Sequence, residues 1–167
     1  RRPSATKQMG PVYVSQSKKN ARREQALIVF EDEASFRQTP TLHQTWAKRN
    51  SQPQIPSKGT RNTQKIFGAV ALHTAKFIYR HTLESFNSES YIEFLEDHLL
   101  PNYYTRSHRI YLIQDNASYH KKPETYHWFQ ENRKYIEIFN LPPYSPELNA
   151  EERIWHYTRM YVTHNQY

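Results

Sequence analysis

The chain has 167 residues, no cysteine and a formal net charge of +7. The missing cysteine excludes disulfides and thiolate metal sites, so any metal must be held by carboxylates, histidines or carbonyls. The length suits one domain with its own core, no apolar run approaches a membrane span, and the basic surplus points to a polyanionic partner.

That charge is unevenly spread. Residues 1–25 hold seven basic side chains, among them Lys18, Lys19, Arg22 and Arg23, against Glu24 alone. The remaining residues carry 16 basic and 15 acidic groups. With Pro3, Gly10 and Pro11, segment 1–25 reads as a polar, irregular arm or linker ahead of a domain spanning 26–167. Such an arm is either a solvated linker or a salt-sensitive, sequence-blind contact to phosphates. No signal-peptide pattern opens the sequence, so it reads as soluble and intracellular, with no membrane partner.

Ala26–Phe30 is a short β-rich apolar run that ends in Glu31, Asp32 and Glu33, and it reads as a buried strand. Residues 37–64 are polar, hold Pro40, Pro53, Pro56 and Gly59, and leave room for a short strand over Thr41–Trp46. Excursions this long are usually functional or mobile. Lys65–Leu72 and Lys76–Thr82 read as a second and third strand, joined across His73–Ala75 as a hairpin. Ser88 or Ser90 is the expected cap of a helix running to about Leu100, with Tyr91, Phe94, Leu95 and Leu99 on one face and Pro101 at its end.

Arg109–Ile113 is a fourth strand and runs straight into Gln114-Asp115-Asn116. A helix from Pro123 to about Lys134, a fifth strand Tyr135–Phe139, the rigid Pro142–Pro146 connector and a last helix from about Ala150 complete the order. Three strands followed by alternating helices and strands give a mixed α/β domain, a five-stranded sheet flanked by helices. That order matches the RNase H-like fold.

Asp32 and Asp115 both follow predicted strands. If those strands are parallel neighbours, the two carboxylates converge at the sheet edge where α/β ligand sites gather. A third acid on a nearby helix would complete a site for hard cations, Mg²⁺ or Mn²⁺. Two such ions roughly 4 Å apart serve phosphodiester chemistry by activating the attacking oxygen and stabilising the leaving one. Glu31 and Glu33 flank Asp32, and because strand neighbours alternate faces, only one parity is expected to meet the metals. Glu152 has a second reading. Asn149-Ala-Glu-Glu152 has the form of a helix start in which Asn149 caps and Glu152 bonds back to its backbone.

Three segments resemble the mariner superfamily of DDE transposases, most closely its bacterial insertion-sequence branch. Phe30–Phe36 resembles the first acidic block and selects Asp32. Leu112–His120 resembles the D-N-A-x-x-H block and selects Asp115. Leu141–Trp155 resembles the P-x-Y-S-P-x-L-N-P-I-E-x-x-W block and selects Glu152, with 36 residues between it and Asp115. The chain departs from that last block at Ala150-Glu151, where Pro-Ile is usual.

The resemblance implies a catalytic domain that cleaves DNA at transposon ends and joins the 3′ ends to target DNA, usually at TA. Asp32, Asp115 and Glu152 are the expected ligands of two Mg²⁺ ions, with Mn²⁺ as substitute. It also implies a homodimer on terminal inverted repeats, in the bacterial nucleoid or, for a eukaryote, the nucleus. Asn116 and His120 are supporting candidates; His120 is expected to orient Asp115 or touch phosphate, Asn116 to orient that carboxylate or close a turn. Lys48, Arg49, Lys58 and Arg61 are further DNA-contact candidates in the excursion. Trp46 is expected as a packing anchor, and Trp155 as a core-facing brace of the last helix. The rival readings are another RNase H-like nuclease, or a domesticated, catalytically inactive DNA-binding protein.

Overall fold

The computed structural model describes residues 11–38, 44, 46–54, 62–143 and 145–163. Five strands form one mixed sheet: β1 (Leu27–Arg37), β2 (Thr63–Ala71), β3 (Phe77–Thr82), β4 (Ile110–Gln114) and β5 (Ile136–Asn140), in the order β3-β2-β1-β4-β5. β1 to β3 pair antiparallel, while β4 lies parallel to both β1 and β5. The expected hairpin between β2 and β3 is present, and its turn is closed by Ala75 N–H donating to the Ala71 carbonyl.

β1 is longer than the sequence pattern suggests. The apolar run stops at Phe30, but the strand continues to Arg37 because β2 stays paired with it as far as Thr63. What ends near Phe30 is the pairing with β4, whose last partner on that side is Ile113. Asp32 therefore lies within a strand, at the point where β1 loses its parallel neighbour.

Helices cover both faces. The first layer is α2 (Ser88–Phe94), a π-helical turn over Leu95–Leu99, α3 (Leu100–Tyr103) and α4 (Pro123–Glu131). Tyr91, Phe94, Leu99, Trp128 and Phe129 bury themselves here against Val29, Phe67, Leu112 and Ile136. The cap of α2 is Asn87 rather than Ser88 or Ser90: Asn87 Oδ1 accepts from Ser90 N–H, and Ser90 Oγ accepts in return from Asn87 N–H. Ser90 is thus the return arm of a capping box. Pro101 does not end the helix, which runs on to Tyr103. Proline in a helix interior clashes with the carbonyl four residues back. The π turn ahead of it, marked by Leu100 N–H reaching the Leu95 carbonyl, widens the backbone there.

The second layer holds α1 (Pro11–Glu24) and α5 (Glu151–Val162). Residues 11–24, expected to be irregular, are helical. Pro11 suits a first helical position, and neither glycine nor proline interrupts the run as far as Glu24. Its end is docked: Ala21 is buried with Ile28, Phe30 and Tyr111, and Tyr111 Oη donates to Glu24 at 2.7 Å. Lys18, Lys19, Arg22 and Arg23 stay exposed. Residues 1–10 and the strand expected over Thr41–Trp46, apart from positions 44 and 46, lie outside the described residues. Trp46 is fully exposed rather than a packing anchor, because described residues 46–54 form only exposed coil and turn. Among the described residues, no helix is long and apolar enough to cross a membrane.

Gly68, opposite Asp32 in the β1–β2 register, sits under α5. A Cβ there would lie 2.7 Å from Trp155 Cζ2 and 2.8 Å from Glu151 Oε2. Trp155 cannot retreat, since its ring packs edge-on against both Phe36 and Phe77 at 5.9 Å. Gly68→Ala is expected to lower stability by about 1–3 kcal/mol through overpacking, read as a fall in the denaturation midpoint. An unchanged midpoint would mean that α5 docks less tightly than described.

Candidate active site

Alternation along the strands sorts the acids by face. Ile28, Phe30, Tyr111 and Ile113 point into the α1/α5 layer, and Asp32 and Asp115 follow at the same parity. Phe30 pairs with Ile113, so both acids lie two residues beyond the last parallel pair. Together with Asn116, Lys121, Asn149 and Glu152 they line one open cleft of about 450 Å³. The three acids selected from the sequence are thus brought together. Lys121, a cation on the wall of that cleft, was missed, because a lysine after a histidine carries no spacing signal of its own.

Each acid is held differently. Trp155 Nε1–H donates to Asp32 Oδ2 at 3.2 Å, so the expected brace of α5 also grips a site carboxylate. Burial, and then the charges of Glu33, Asp115 and Glu152, push the Asp32 carboxyl up to about 7. Asp115 Oδ1 accepts from Ala117 N–H at 2.8 Å and pairs with His120 Nδ1 at 3.2 Å. Burial acts to raise Asp115, but these two contacts and the charges of His120 and Lys121 outweigh it and hold the carboxyl below its usual range. Glu152 is exposed on the first turn of α5. The hydrogen bond at that helix start runs from Glu151 N–H to Asn149 Oδ1 at 3.1 Å, and among the described hydrogen bonds none ties Glu152 to the Asn149 backbone. Its capping role is therefore not what the fold uses.

Asn116 donates from Nδ2 to the Leu141 carbonyl at 2.5 Å, which ties the loop after β4 to the end of β5. His120 lies on the 3₁₀ turn Ser118–Lys121, with its side chain only 1% exposed. It sits behind Asp115 rather than in the cleft, which leaves it placed to orient that acid and out of reach of a phosphate. Burial pulls its imidazole down, but contacts with Asp115 and Glu33 and the charges of Glu31 and Glu33 outweigh burial and raise it to about 10.

The other acids do not behave as inert flanks. Glu33 offers an oxygen within 4.8 Å of both Asp32 and Asp115, although it belongs to the opposite parity. Asp115 lies past the end of β4, at an edge that both parities of β1 approach. Glu151 is completely buried over the Asp32–Gly68 pair, and among the described residues neither carboxylate oxygen has a hydrogen-bond partner. Burial, then the charges of Asp32 and Glu33, raise it well above the usual carboxylate range. Of the basic candidates in the excursion, Lys48 and Arg49 are exposed, and Lys58 and Arg61 lie outside the described residues.

The donor set at the cleft is all oxygen, and it crowds negative charge around a half-buried aspartate. Both properties fit a hard divalent cation, which would offset the burial and the repulsion that raise the Asp32 carboxyl. Metal binding should accordingly compete with a proton. Apparent Mg²⁺ affinity is expected to rise about tenfold per pH unit up to about pH 7 and then level off, with proton release seen calorimetrically below pH 7. Equal affinity at pH 5.5 and 7.5 would contradict this. The metal-free fold shows the matching sign. A carboxyl raised from 3.8 to about 7 costs stability as pH rises through that interval.

Sheet order and mixed pairing, with an acid-lined cleft where β1 parts from β4, define an RNase H-like domain. Residues 27–167 match the DDE superfamily endonuclease family, and the chain belongs to that family. It is 31% identical over 141 residues to the insertion element IS630 uncharacterized 39 kDa protein of Shigella sonnei, a match covering 83% of this chain and 39% of that one. The Mos1 strand transfer complex aligns with a TM-score of 0.60 at 17% identity, over 93% of this chain and 46% of the Mos1 chain. The catalytic domain of Mos1 mariner transposase aligns at 0.52 and 13% identity, over 93% and 70%. The chain therefore spans about two fifths of the insertion-element protein and under half of the Mos1 chain in the complex.

Proposed function

We propose that this chain is the catalytic domain of a cut-and-paste DNA transposase, cleaving DNA at transposon ends and joining the freed 3′-hydroxyl to target DNA. The observation that carries the reading is the convergence of Asp32, Asp115 and Glu152 on one cleft, each from a different element. Two hard dications bound there would activate the attacking oxygen and stabilise the leaving one. Asp32, Asp115 and Glu152 would hold them through their carboxylate oxygens.

The chain's own residues supply the preorganisation. Ala117 N–H and His120 hold Asp115 from behind, and Trp155 Nε1–H holds Asp32 from the α5 side. Lys121 is placed on the cleft wall to take a non-bridging phosphate oxygen. Exposed Lys18, Lys19, Arg22 and Arg23 on α1 share the sheet face that carries α5, which supports a DNA path along that side. Lys48, Arg49, Lys58 and Arg61 of the excursion would add contacts to DNA or to a second subunit. A homodimer acting on terminal inverted repeats, with a TA target, completes the proposal.

The full-length protein should be incubated with DNA carrying its cognate ends, with and without Mg²⁺ or Mn²⁺. The expected products are metal-dependent 3′-hydroxyl ends followed by joined strands. Binding without metal-dependent cleavage would instead favour an inactive DNA-binding protein. Cleavage without joining would favour another RNase H-like nuclease.

A further inference from the structure

Behind the catalytic cleft, on the α2/α4 side of the sheet, β1 presents two more acids. Glu31 is completely buried and Glu33 nearly so, with its side chain 11% exposed. His120 Nε2 lies 3.1 Å from Glu33 Oε1 and 3.9 Å from Glu31 Oε2. Among the described residues, neither Glu31 oxygen has a hydrogen-bond partner, and beyond these close approaches Glu33 Oε1 and His120 Nε2 have none either. The ring itself is fixed: it packs against Tyr91 at 4.4 Å and Tyr119 at 4.5 Å, and its Nδ1 faces Asp115 Oδ1 at 3.2 Å.

We propose that Glu31, Glu33 and His120 form a second, buried cation site of the Zn²⁺ class, on the opposite face of β1 from the catalytic cleft. Three arguments support it. Nε2 confronts two glutamates, and a positive charge between them would relieve the repulsion that burial makes severe. A proton on Nε2 can serve Glu33 but leaves both oxygens of the buried Glu31 unpartnered, which is costly. A dication serves all three and balances the charge of the two glutamates.

The geometry also suits a small dication. Ligand atoms at about 2.0–2.2 Å from zinc stand about 3–3.5 Å apart; the Glu33 contact at 3.1 Å matches this, and Glu31, at 3.9 Å, would draw in by a few tenths of an ångström. One imidazole nitrogen with two carboxylates favours zinc or manganese over magnesium. Finally, metal-bound histidines usually donate their other N–H to a carboxylate, and His120 Nδ1 meets Asp115. The cation would thereby fix the tautomer that grips a catalytic acid. The partly exposed Glu33 provides the way in.

The site is tested in an Asp32→Asn/Glu152→Gln background, which removes two of the three cleft acids and leaves the rear cluster whole, so that loss of binding on Glu31→Gln separates the rear site from the remaining Asp115. Zn²⁺ is titrated by calorimetry, and Co²⁺ by its visible absorption. The expected result is one bound Zn²⁺ per chain. Loss of even an outer partner costs about 10–100-fold in metal affinity, so adding Glu31→Gln or His120→Asn should weaken binding by about 100-fold. A ¹⁵N spectrum of His120 needs neither added variant, and Zn²⁺ should convert Nε2 to a metal-bound nitrogen. The proposal is overturned if the background protein binds no Zn²⁺, if Glu31→Gln leaves the affinity unchanged, or if Nε2 keeps its proton at saturating Zn²⁺.

Discussion

Asp115→Asn is expected to slow metal-dependent DNA cleavage by on the order of 10³-fold while leaving DNA binding within severalfold of wild type. The substitution is nearly isosteric. An amide oxygen can still accept from Ala117 N–H, so the turn after β4 should keep its shape. What is lost is the negative charge that the fold protects: His120 and Lys121 both act to keep Asp115 ionised. A neutral amide binds a hard dication poorly, and its NH₂ group can point positive hydrogens at the same ion. Single-turnover cleavage at saturating Mg²⁺ measures the effect. Cleavage within tenfold of wild type would remove Asp115 from the proposed machinery, and with it most of the case for the cleft.

The second large effect separates two adjacent glutamates. Glu152→Gln is expected to cost on the order of 10³-fold in cleavage, with stability almost unchanged, because its side chain is exposed on the cleft. Glu151→Gln is expected to do the reverse. Glu151 is buried with no hydrogen-bond partner among the described residues, and its carboxyl is raised well above the usual range by burial and by Asp32 and Glu33. A raised carboxyl is harmless where both folded and unfolded chains are protonated, and it costs stability once the unfolded chain ionises above about pH 4.5. Glu151→Gln should therefore raise stability at pH 7.5 by about 1–3 kcal/mol, read as a higher melting temperature, and have little effect near pH 4. Activity should stay within severalfold of wild type. A dead Glu151→Gln beside an active Glu152→Gln would exchange the two assignments.

Much of this was legible in the sequence, for identifiable reasons. Strand order and the hairpin follow from short apolar runs separated by turn residues. Asp32 and Asp115 could be paired because two-residue alternation and parallel neighbours are strong constraints. The boundaries of β1 were not legible, since Glu31 to Arg37 is polar and its strand character comes from pairing with β2. The helix of α1 was hidden by its charge, its dock being little more than Ala21 and Glu24. The burial of Glu151 could have been seen. It stands four residues before Trp155, which was expected to face the core, and helical period puts both on one side. The link from His120 to Glu33 and Glu31 could not, because it spans about ninety residues and depends on how far β4 extends.

The bare backbone of Gly68 makes three distant positions behave as one variable. The space it leaves is filled from α5 by Glu151 and Trp155 together, directly over the strand that carries Asp32. Changes at 68, 151 and 155 should therefore be non-additive. A smaller side chain at 151 or 155 is expected to recover much of the stability that a methyl group at 68 removes, a coupling that a double-mutant cycle would measure. For anyone recombining this domain with a relative, the three residues must travel together, although 83 positions separate the first from the second.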